Sequence, residues 1–383
     1  MTRILQVLCG TLGLIGLAAC DPGVKLVGPA AENCAAAPFF SNSPVAMADI
    51  ELITVVGGLG APGHTLPTAH AGFYLDTEGA VVRAPGAMQI TKLRRTTYVA
   101  SPNRQGKTDF TADFQVCKQV SGWLGHLTTL SDAIPVTGGW KECERYNTSL
   151  ETVETCTAKL KSVGVTAGQV IGTSGLSKAL GLMGLDFGLL DSRVNNGYVA
   201  NWRHPDPSRQ SICAWDKFEP TVQSQLFAKL RDPSRTRTVP AGDPRCGTMQ
   251  VDVAGTAKGV WAMPTETAPL RGNETAYVTL ANYPYRPADQ LALSLGPNLL
   301  GAGVAVVGRA AGNGRANRPF EQVTNDGLVY CYGPDIDSPW LSWLVTLTGP
   351  NTLSIRMVEN FVGNTCTASV STWTMVGAVQ MVR

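Results

Sequence analysis

Short apolar segments separated by glycine, proline and asparagine make up most of the chain. Between residues 50 and 203 they include IELITVV, AGFYLD, AVVRAP, MQITKLR and DFQVCKQV. Short runs bounded by turn-forming residues are typical of β-strands. Residues 246–383 have the same character, and the turn sequences TNDG at 324–327 and TGPNT at 348–352 predict hairpins there. The pattern therefore predicts a mainly β protein.

Two segments depart from this pattern. LETVETCTAKL, at 150–160, is more polar than its surroundings and predicts a short helix. EPTVQSQLFAKL has helical spacing, with Val222, Leu226 and Leu230 on one face. This second segment lies in an interval, 204–245, that is rich in proline, arginine, serine and aspartate. We therefore expect a linker carrying one helix between two β-rich parts.

The N-terminus has the composition of an export signal. Arg3 precedes the apolar run Ile4–Ala19, which is too short and too close to small residues for a membrane-spanning helix. The ending Leu17-Ala18-Ala19-Cys20 resembles the lipobox of bacterial lipoproteins. The resemblance implies that residues 1–19 are removed and that acylated Cys20 anchors the protein in a lipid bilayer, facing the periplasm of a bacterial envelope. The alternative is an ordinary signal peptide that contains a cysteine.

Residues 20–48 are rich in alanine, proline, glycine and serine and predict a flexible tether. The expected organisation is then a body of two parts, at 49–203 and 246–383, with the linker at 204–245. The second part is predicted to be an all-β barrel or sandwich. A formal net charge of +2 over 383 residues argues against nucleic acid as a partner.

The cysteines agree with export. Apart from Cys9 and Cys20 the chain has eight, an even number that favours disulfides in an oxidising compartment: Cys34, Cys117, Cys143, Cys156, Cys213, Cys246, Cys331 and Cys366. The predicted local pairs are Cys143–Cys156 and Cys331–Cys366. None of the spacings is that of a C-x-x-C zinc knuckle, so a cysteine zinc cluster is disfavoured.

The candidate chemistry lies in the first part. Two of the four histidines, His64 and His70, stand in APGHTLPTAHAGFYLD at 61–76. His126 follows in LGHL, and the segments AGQVIGTSG at 167–175 and GLDF at 184–187 come later. These sequence motifs, in this order over residues 50–195, resemble those of the lysostaphin-type, or LytM-type, zinc endopeptidases, which cut peptidoglycan cross-bridges. The resemblance implies a lysostaphin-like β domain and a cleft where these segments meet.

The chain departs from that family at the zinc site. Tyr74 stands where the family has a ligand aspartate, and Gly184 and Asp186 replace both histidines of its last motif, whereas His70 and His126 are retained. Catalytic zinc needs three protein ligands and an open position for water. A permuted set of His64, His70 and Asp186 would restore two histidines and a carboxylate. Otherwise Asp186 pairs with one of the histidines and no zinc is bound.

His126 also has two interpretations. As a catalytic group it would stabilise developing charge or transfer a proton. As a structural group its hydrogen bonds would hold the neighbouring loop. In either case we expect His64, His70, His126 and Asp186 to converge in one cleft.

Three functions remain open at this point. The favoured one is a non-catalytic binding or regulatory lipoprotein, with peptidoglycan or a cell-wall hydrolase as partner. The second is a metal-dependent hydrolase of peptide amides that uses the permuted ligand set. The third is a ligand-binding lipoprotein acting through its C-terminal β domain, which a large apolar cavity there would indicate.

Overall fold

A computed structural model describes residues 33–175, 184–233, 239, 243–299, 303–312, 314–359, 365–367 and 369–383. The predicted signal peptide and Cys20 lie outside these ranges. The described chain is mainly β, with two α-helices and two antiparallel sheets, so the predicted fold class is confirmed. None of the helices described is long and apolar enough to cross a membrane.

The first sheet has ten strands. Its main path runs β1-β2-β10-β6-β5-β4-β8-β7, and β9 pairs with both β6 and β3. The strand bounds are β1 Ile50–Ile53, β2 Ala71–Leu75, β3 Ala80–Arg83, β4 Met88–Ala100, β5 Thr108–Gln115, β6 Val120–Leu130, β7 Lys141–Asn147, β8 Thr152–Val165, β9 Val170–Ser174 and β10 Gly184–Asp191. Strand β10, which is late in sequence, therefore lies in the middle of the sheet, between β2 and β6.

The helix predicted at 150–160 is wrong, because this segment belongs to strand β8. Val153, Cys156 and Ala158 are buried, and β8 pairs with β4 on one side and β7 on the other. Its many threonines are β-branched and favour an extended backbone. The polarity that indicated a helix comes from the outward positions of a strand that is only partly covered.

The second sheet has eight strands in the order β14-β13-β12-β11-β18-β17-β16-β15. Its edges approach each other, since the Ile336 N–H donates to the Val306 carbonyl of β14 at 2.8 Å, giving a nearly closed, barrel-like sheet. The TGPNT turn joins β16 to β17 as predicted, whereas TNDG follows a 3-10 helix and joins no hairpin. The bounds are β11 Gly259–Ala262, β12 Tyr277–Asn282, β13 Gln290–Leu295, β14 Gly303–Gly308, β15 Tyr330–Tyr332, β16 Leu341–Gly349, β17 Thr352–Glu359 and β18 Val379–Val382.

The two sheets share a hydrophobic core. Alternate residues of a strand point to opposite faces, and in β11 Val260 packs into the core of the first sheet while Trp261 packs inside the second. In β12, Tyr277 packs into the core of the first sheet and Val278 packs inside the second. Strands β11 to β13 are therefore buried on both faces.

The predicted linker contributes to this core. It contains helix α1, Asp206–Gln210, and helix α2, Pro220–Ala228, the helix expected from its spacing. Leu226 and Leu230 are fully buried, as is Trp215 just before α2. On the N-terminal side Phe40 is also fully buried, so the flexibility predicted for 20–48 does not extend to this described part.

Four disulfides are present among the described residues. Both predicted pairs, Cys143–Cys156 and Cys331–Cys366, are confirmed. The other two are Cys34–Cys117 and Cys213–Cys246, with sequence separations of 83 and 33 residues. Cys34–Cys117 fixes the start of the described chain to the turn between β5 and β6.

Candidate functional site

An open cleft of about 480 Å³ lies over the first sheet. All four side chains expected to converge, His64, His70, His126 and Asp186, line it. His70, Asp186 and His126 come together because β2, β10 and β6 are adjacent strands in the sheet. Trp123 forms part of one wall, where its indole lies across Gly188: a Cβ on that glycine would come within 2.3 Å of the ring.

A β-bulge directs His126 into the cleft. Leu124 and Leu127 of β6 pair with Ala112 and Phe110 of β5, so two residues, Gly125 and His126, oppose one. His126 has φ +60°, in the left-handed region that costs a non-glycine residue about 1–2 kcal/mol. Such unfavourable backbone geometry is concentrated at functional sites. It is held here by the pairing of β6 with strands on both sides.

Carboxylates engage both ring nitrogens of His126. Nδ1 lies 2.7 Å from Asp109 Oδ2, and Nε2 lies 3.2 Å from Asp186 Oδ2. Burial alone would lower the pKa of His126, but the charges of Asp186 and Asp109 outweigh it and hold this pKa well above its usual value. The two carboxylates thus favour the imidazolium form, in which each ring N–H faces a carboxylate oxygen.

Asp186 sits at the centre of the cluster because its neighbours across the sheet are glycines. It pairs with Gly72 of β2 and Gly125 of β6. A Cβ at position 125 would stand 3.1 Å from the Asp186 Cβ, so glycine leaves room for the carboxylate. Despite burial, the charges of His70 and His126 lower the pKa of Asp186, and the carboxylate stays ionised.

Only one oxygen of Asp186 is tightly held. Its Oδ2 faces His126, whereas Oδ1 has His70 Nδ1 at 3.5 Å, beyond ordinary hydrogen-bond length. The His70 Nδ1 also lies 3.4 Å from the Ala71 carbonyl. The Asp186 side chain is 25% exposed, so Oδ1 can accept a hydrogen bond from a ligand in the cleft.

His64 lies at the cleft mouth. Its ring stands edge to face with that of His70, with 5.5 Å between the centroids. Burial of the ring among the cleft walls and the nearby His70 lower the pKa of His64. Because the residue as a whole is exposed, water weakens both effects.

The second sheet completes the cleft mouth. Glu274, just before β12, lines the cleft, and its Oε2 accepts a hydrogen bond from the Leu66 N–H at 2.7 Å. The loop that carries His64 is thus tied to the C-terminal part of the chain. Burial raises the pKa of Glu274 to about 7, against the opposing effect of the backbone donors Leu66 and Thr65.

The opposite wall is a closed hydrogen-bond network. Tyr98 donates to Asp109 Oδ2 at 2.6 Å, and Arg104 donates to the Tyr98 hydroxyl at 2.9 Å. Arg104 also forms a two-pronged ion pair with Glu151, at 3.0 and 2.6 Å. This network holds Asp109, and through it the His126 ring, in one orientation.

The arrangement does not fit a zinc ion. Among the described residues, three ligand atoms lie within 4.8 Å of one another only at Cys213, Asp216 and Cys246, and those cysteines form a disulfide. The expected set of His64, His70 and Asp186 lines one cleft but does not converge to that degree. Tyr74, at the position of the family's aspartate, is 40% exposed on β2 and offers a phenol instead of a carboxylate.

Two residues of this site were missed in the sequence. Asp109 is 3% exposed and is the closest partner of His126, yet the sequence does not distinguish it from Asp113, the other acid of the TDFTADFQ strand. The one sequence feature that could have indicated Asp109 is that it is an acid on the predicted strand just before the one that carries His126. Glu274 has no local signal, because it comes from the other sheet.

Comparison with known proteins adds no relative. No family model, no curated protein and no solved structure matches the chain. The resemblance to lysostaphin-type endopeptidases therefore remains a sequence-based expectation, and the function has to be inferred from the site itself.

Proposed function

We propose that this protein is a non-catalytic binding protein that holds a polar, amine-bearing ligand in the cleft of its first sheet. The observation that carries the proposal is the engagement of both His126 nitrogens by carboxylates. An imidazolium held in this way has no lone pair with which to accept a proton, so His126 is a poor general base. Its role is to fix Asp186.

Asp186 supplies the contact with the ligand. It is ionised, one of its oxygens is available, and the cleft restricts its access to water. A carboxylate in this setting favours ammonium and other N–H donors, and hydrogen bonds to charged groups contribute about 1.5–3 kcal/mol. Trp123 and His70 provide flat faces beside it.

The setting we propose is the bacterial envelope, with Cys20 acylated and the body facing the periplasm. The Leu17–Cys20 motif supports the anchor, and the four disulfides support an oxidising compartment. Mass spectrometry of the purified mature protein should find acylated Cys20 at the N-terminus. An unmodified N-terminus at another residue contradicts the anchor.

Peptidoglycan fragments are the first ligands to test, because they carry free amines and because the sequence resemblance points to them. Calorimetry with muropeptides released by a muramidase should show binding that falls at least about tenfold in Asp186→Asn. Acetylation of the ligand amine should have the same effect. Asp191→Asn, at the far end of the same strand β10 and paired with Arg193, is the matched control and should bind normally.

Two outcomes contradict the proposal. Release of new amines from intact sacculi by the purified protein indicates a hydrolase. About one equivalent of zinc retained after dialysis, and lost in His70→Ala, indicates the permuted metal site.

We do not favour a binding role for the C-terminal sheet. Large side chains fill its interior, among them Trp261, Phe320, Tyr330 and Tyr332, all fully buried. A filled core of this kind stabilises the fold and leaves the cleft of the first sheet as the better candidate.

A further inference from the structure

A second, smaller pocket of about 180 Å³ lies beside the cleft. The two cavities share three lining side chains, His64, His70 and Asp186. Most of the other residues of the small pocket come from β2 and the segment after β1, with Pro233 and Tyr285 added from later in the chain, whereas those of the cleft come mainly from β4, β5, β6 and the turn before β8. Since β10 runs between these two groups of strands, the pockets lie on opposite sides of Asp186.

Three hydroxyl groups of the small pocket are hydrogen-bonded within the protein. The Thr54 hydroxyl accepts a hydrogen bond from the Gly72 N–H at 2.8 Å, and the Thr68 hydroxyl donates to the Gly58 carbonyl at 2.8 Å. The Tyr285 hydroxyl is hydrogen-bonded to the backbone of Val55. Of the remaining lining residues, Val55, Leu59 and Pro233 present carbon to a ligand, and Tyr74 presents its ring and its phenol.

The size of the pocket limits what can enter. A volume of 180 Å³ corresponds to about six water molecules at about 30 Å³ each. Displacing water from such a pocket by a short aliphatic group is favourable, because the walls keep their hydrogen bonds. An ionised group placed away from Asp186 would lose its hydration there.

We propose that the small pocket is a second subsite of the same site, which takes a short aliphatic group from a ligand whose amine contacts Asp186. The geometry makes Asp186 the midpoint of the bound ligand, with a polar part in the cleft and a methyl-bearing part behind it. This subsite rests on the proposed binding function. It narrows the ligand class to amines that carry small alkyl substituents a few bonds away.

Gly60 offers a position for an added side chain at the edge of the pocket. It lines the pocket, it has no atom within 4 Å of the position of a Cβ, and its backbone pairs with that of His64. Gly60→Leu should therefore place side-chain atoms in free space and keep the backbone hydrogen bonds. Gly308→Leu, another open glycine at the end of β14, is the matched control.

A second variant with a smaller added side chain keeps the test usable if Gly60→Leu does not fold. At Gly58 a Cβ would meet Val55 O at 3.5 Å and the Tyr285 hydroxyl at 4.0 Å, which are ordinary contacts. Gly58→Ala should therefore reduce the pocket without strain. Circular dichroism checks the fold of each variant.

Two synthetic peptides serve as probes in NMR titrations, Lys-Ala-Ala and Lys-Gly-Gly. Each buried methyl group should strengthen binding about fourfold, so the wild type should prefer the alanine peptide by at least that factor. Gly60→Leu should remove this preference. Gly58→Ala should reduce the preference, and Gly308→Leu should retain it.

The outcomes separate the subsite from the function on which it rests. Equal affinity of the wild type for both peptides, or a preference that persists in Gly60→Leu, overturns the subsite alone. If neither peptide binds the wild type, or if Asp186→Asn binds both as well as the wild type does, the proposed function fails and the subsite fails with it.

Discussion

The charge state of His126 is the feature on which the proposed function depends, and Asp186→Asn tests it directly. The substitution keeps the shape of the side chain but removes the negative charge 3.2 Å from His126 Nε2. Asp109 remains at 2.7 Å from Nδ1. We therefore expect the pKa of His126 to fall in the variant and to stay above the value that burial alone would produce.

The size of the fall follows from the strength of the lost contact. A hydrogen bond between charged groups contributes about 1.5–3 kcal/mol, and one pKa unit corresponds to about 1.4 kcal/mol. The expected fall is thus about 1–2 units. Because the His126 side chain is 33% exposed, solvent screening favours the lower end.

The same pair determines how stability depends on pH. The folded-state pKa of His126 lies above the unfolded value of 6.5, so its stabilisation is complete below pH 6.5 and is lost as the pH rises through the folded-state pKa. In Asp186→Asn the interval between the two values is narrower. The unfolding free energy of the variant should therefore fall less between pH 6 and pH 9 than that of the wild type.

The assays are an NMR titration of the His126 ring nitrogens and urea unfolding at the two pH values. Asp191→Asn, on the same strand, is the control and should leave the His126 titration unchanged. A His126 pKa that is the same in wild type and Asp186→Asn refutes the assignment of the doubly engaged imidazolium, and with it the argument against a general base.

Three further predictions concern the packing around the site. Gly188→Ala should lower the unfolding free energy by about 1–3 kcal/mol and change the tryptophan fluorescence, because its Cβ would meet the Trp123 ring at 2.3 Å. Gly184→Ala, on the same strand, makes only a 3.5 Å contact and should be tolerated. Equal stabilities of the two variants contradict the position of the indole. Leu226→Ala should cost about 2–5 kcal/mol in urea unfolding, since this side chain is fully buried in the first core, and a neutral effect would show that α2 is only a linker. The folded-state pKa of Glu274, about 7, lies above the ordinary value of 4.5, so its contribution to stability is present below pH 4.5 and is lost as the pH rises to 7. Glu274→Gln should flatten this decline of the unfolding free energy. An unchanged pH profile contradicts the burial of the carboxylate.

Local signals in the sequence were sufficient for some elements. The TGPNT turn and the helical spacing of EPTVQSQLFAKL depend on neighbouring residues, and both elements are present. The helix prediction for strand β8 was wrong because β8 lies next to the edge strand β7. Its outward positions are polar, so the alternation of apolar and polar residues typical of a strand is hard to recognise. Whether such a segment becomes a strand is decided by its partner β4, which is more than fifty residues away in sequence.

The sequence predicted which residues form the candidate site better than it predicted how those residues interact. The resemblance to lysostaphin-type endopeptidases led us to expect His70, His126 and Asp186 in one cleft, and all three line it. The bond between His126 and Asp109 depends on a bulge, which no residue pattern indicated. Glu274 enters from a part of the chain that the sequence assigned to a separate domain.

The core shared by the two sheets has a consequence for the order in which the protein can fold. The first sheet draws core residues from β11 to β14, the last of them Val306, so its packing cannot be completed until most of the chain has been synthesised. Until then the apolar surface that those strands will cover stays open to water and to other chains, as in other proteins that fold through long-range pairing. Cys34–Cys117 and Cys143–Cys156 can form in this early state, whereas Cys213 must wait for Cys246. A fragment that ends after β10 should therefore be oxidisable but prone to aggregate, and its cleft would lack the part of the lining that Glu274 contributes.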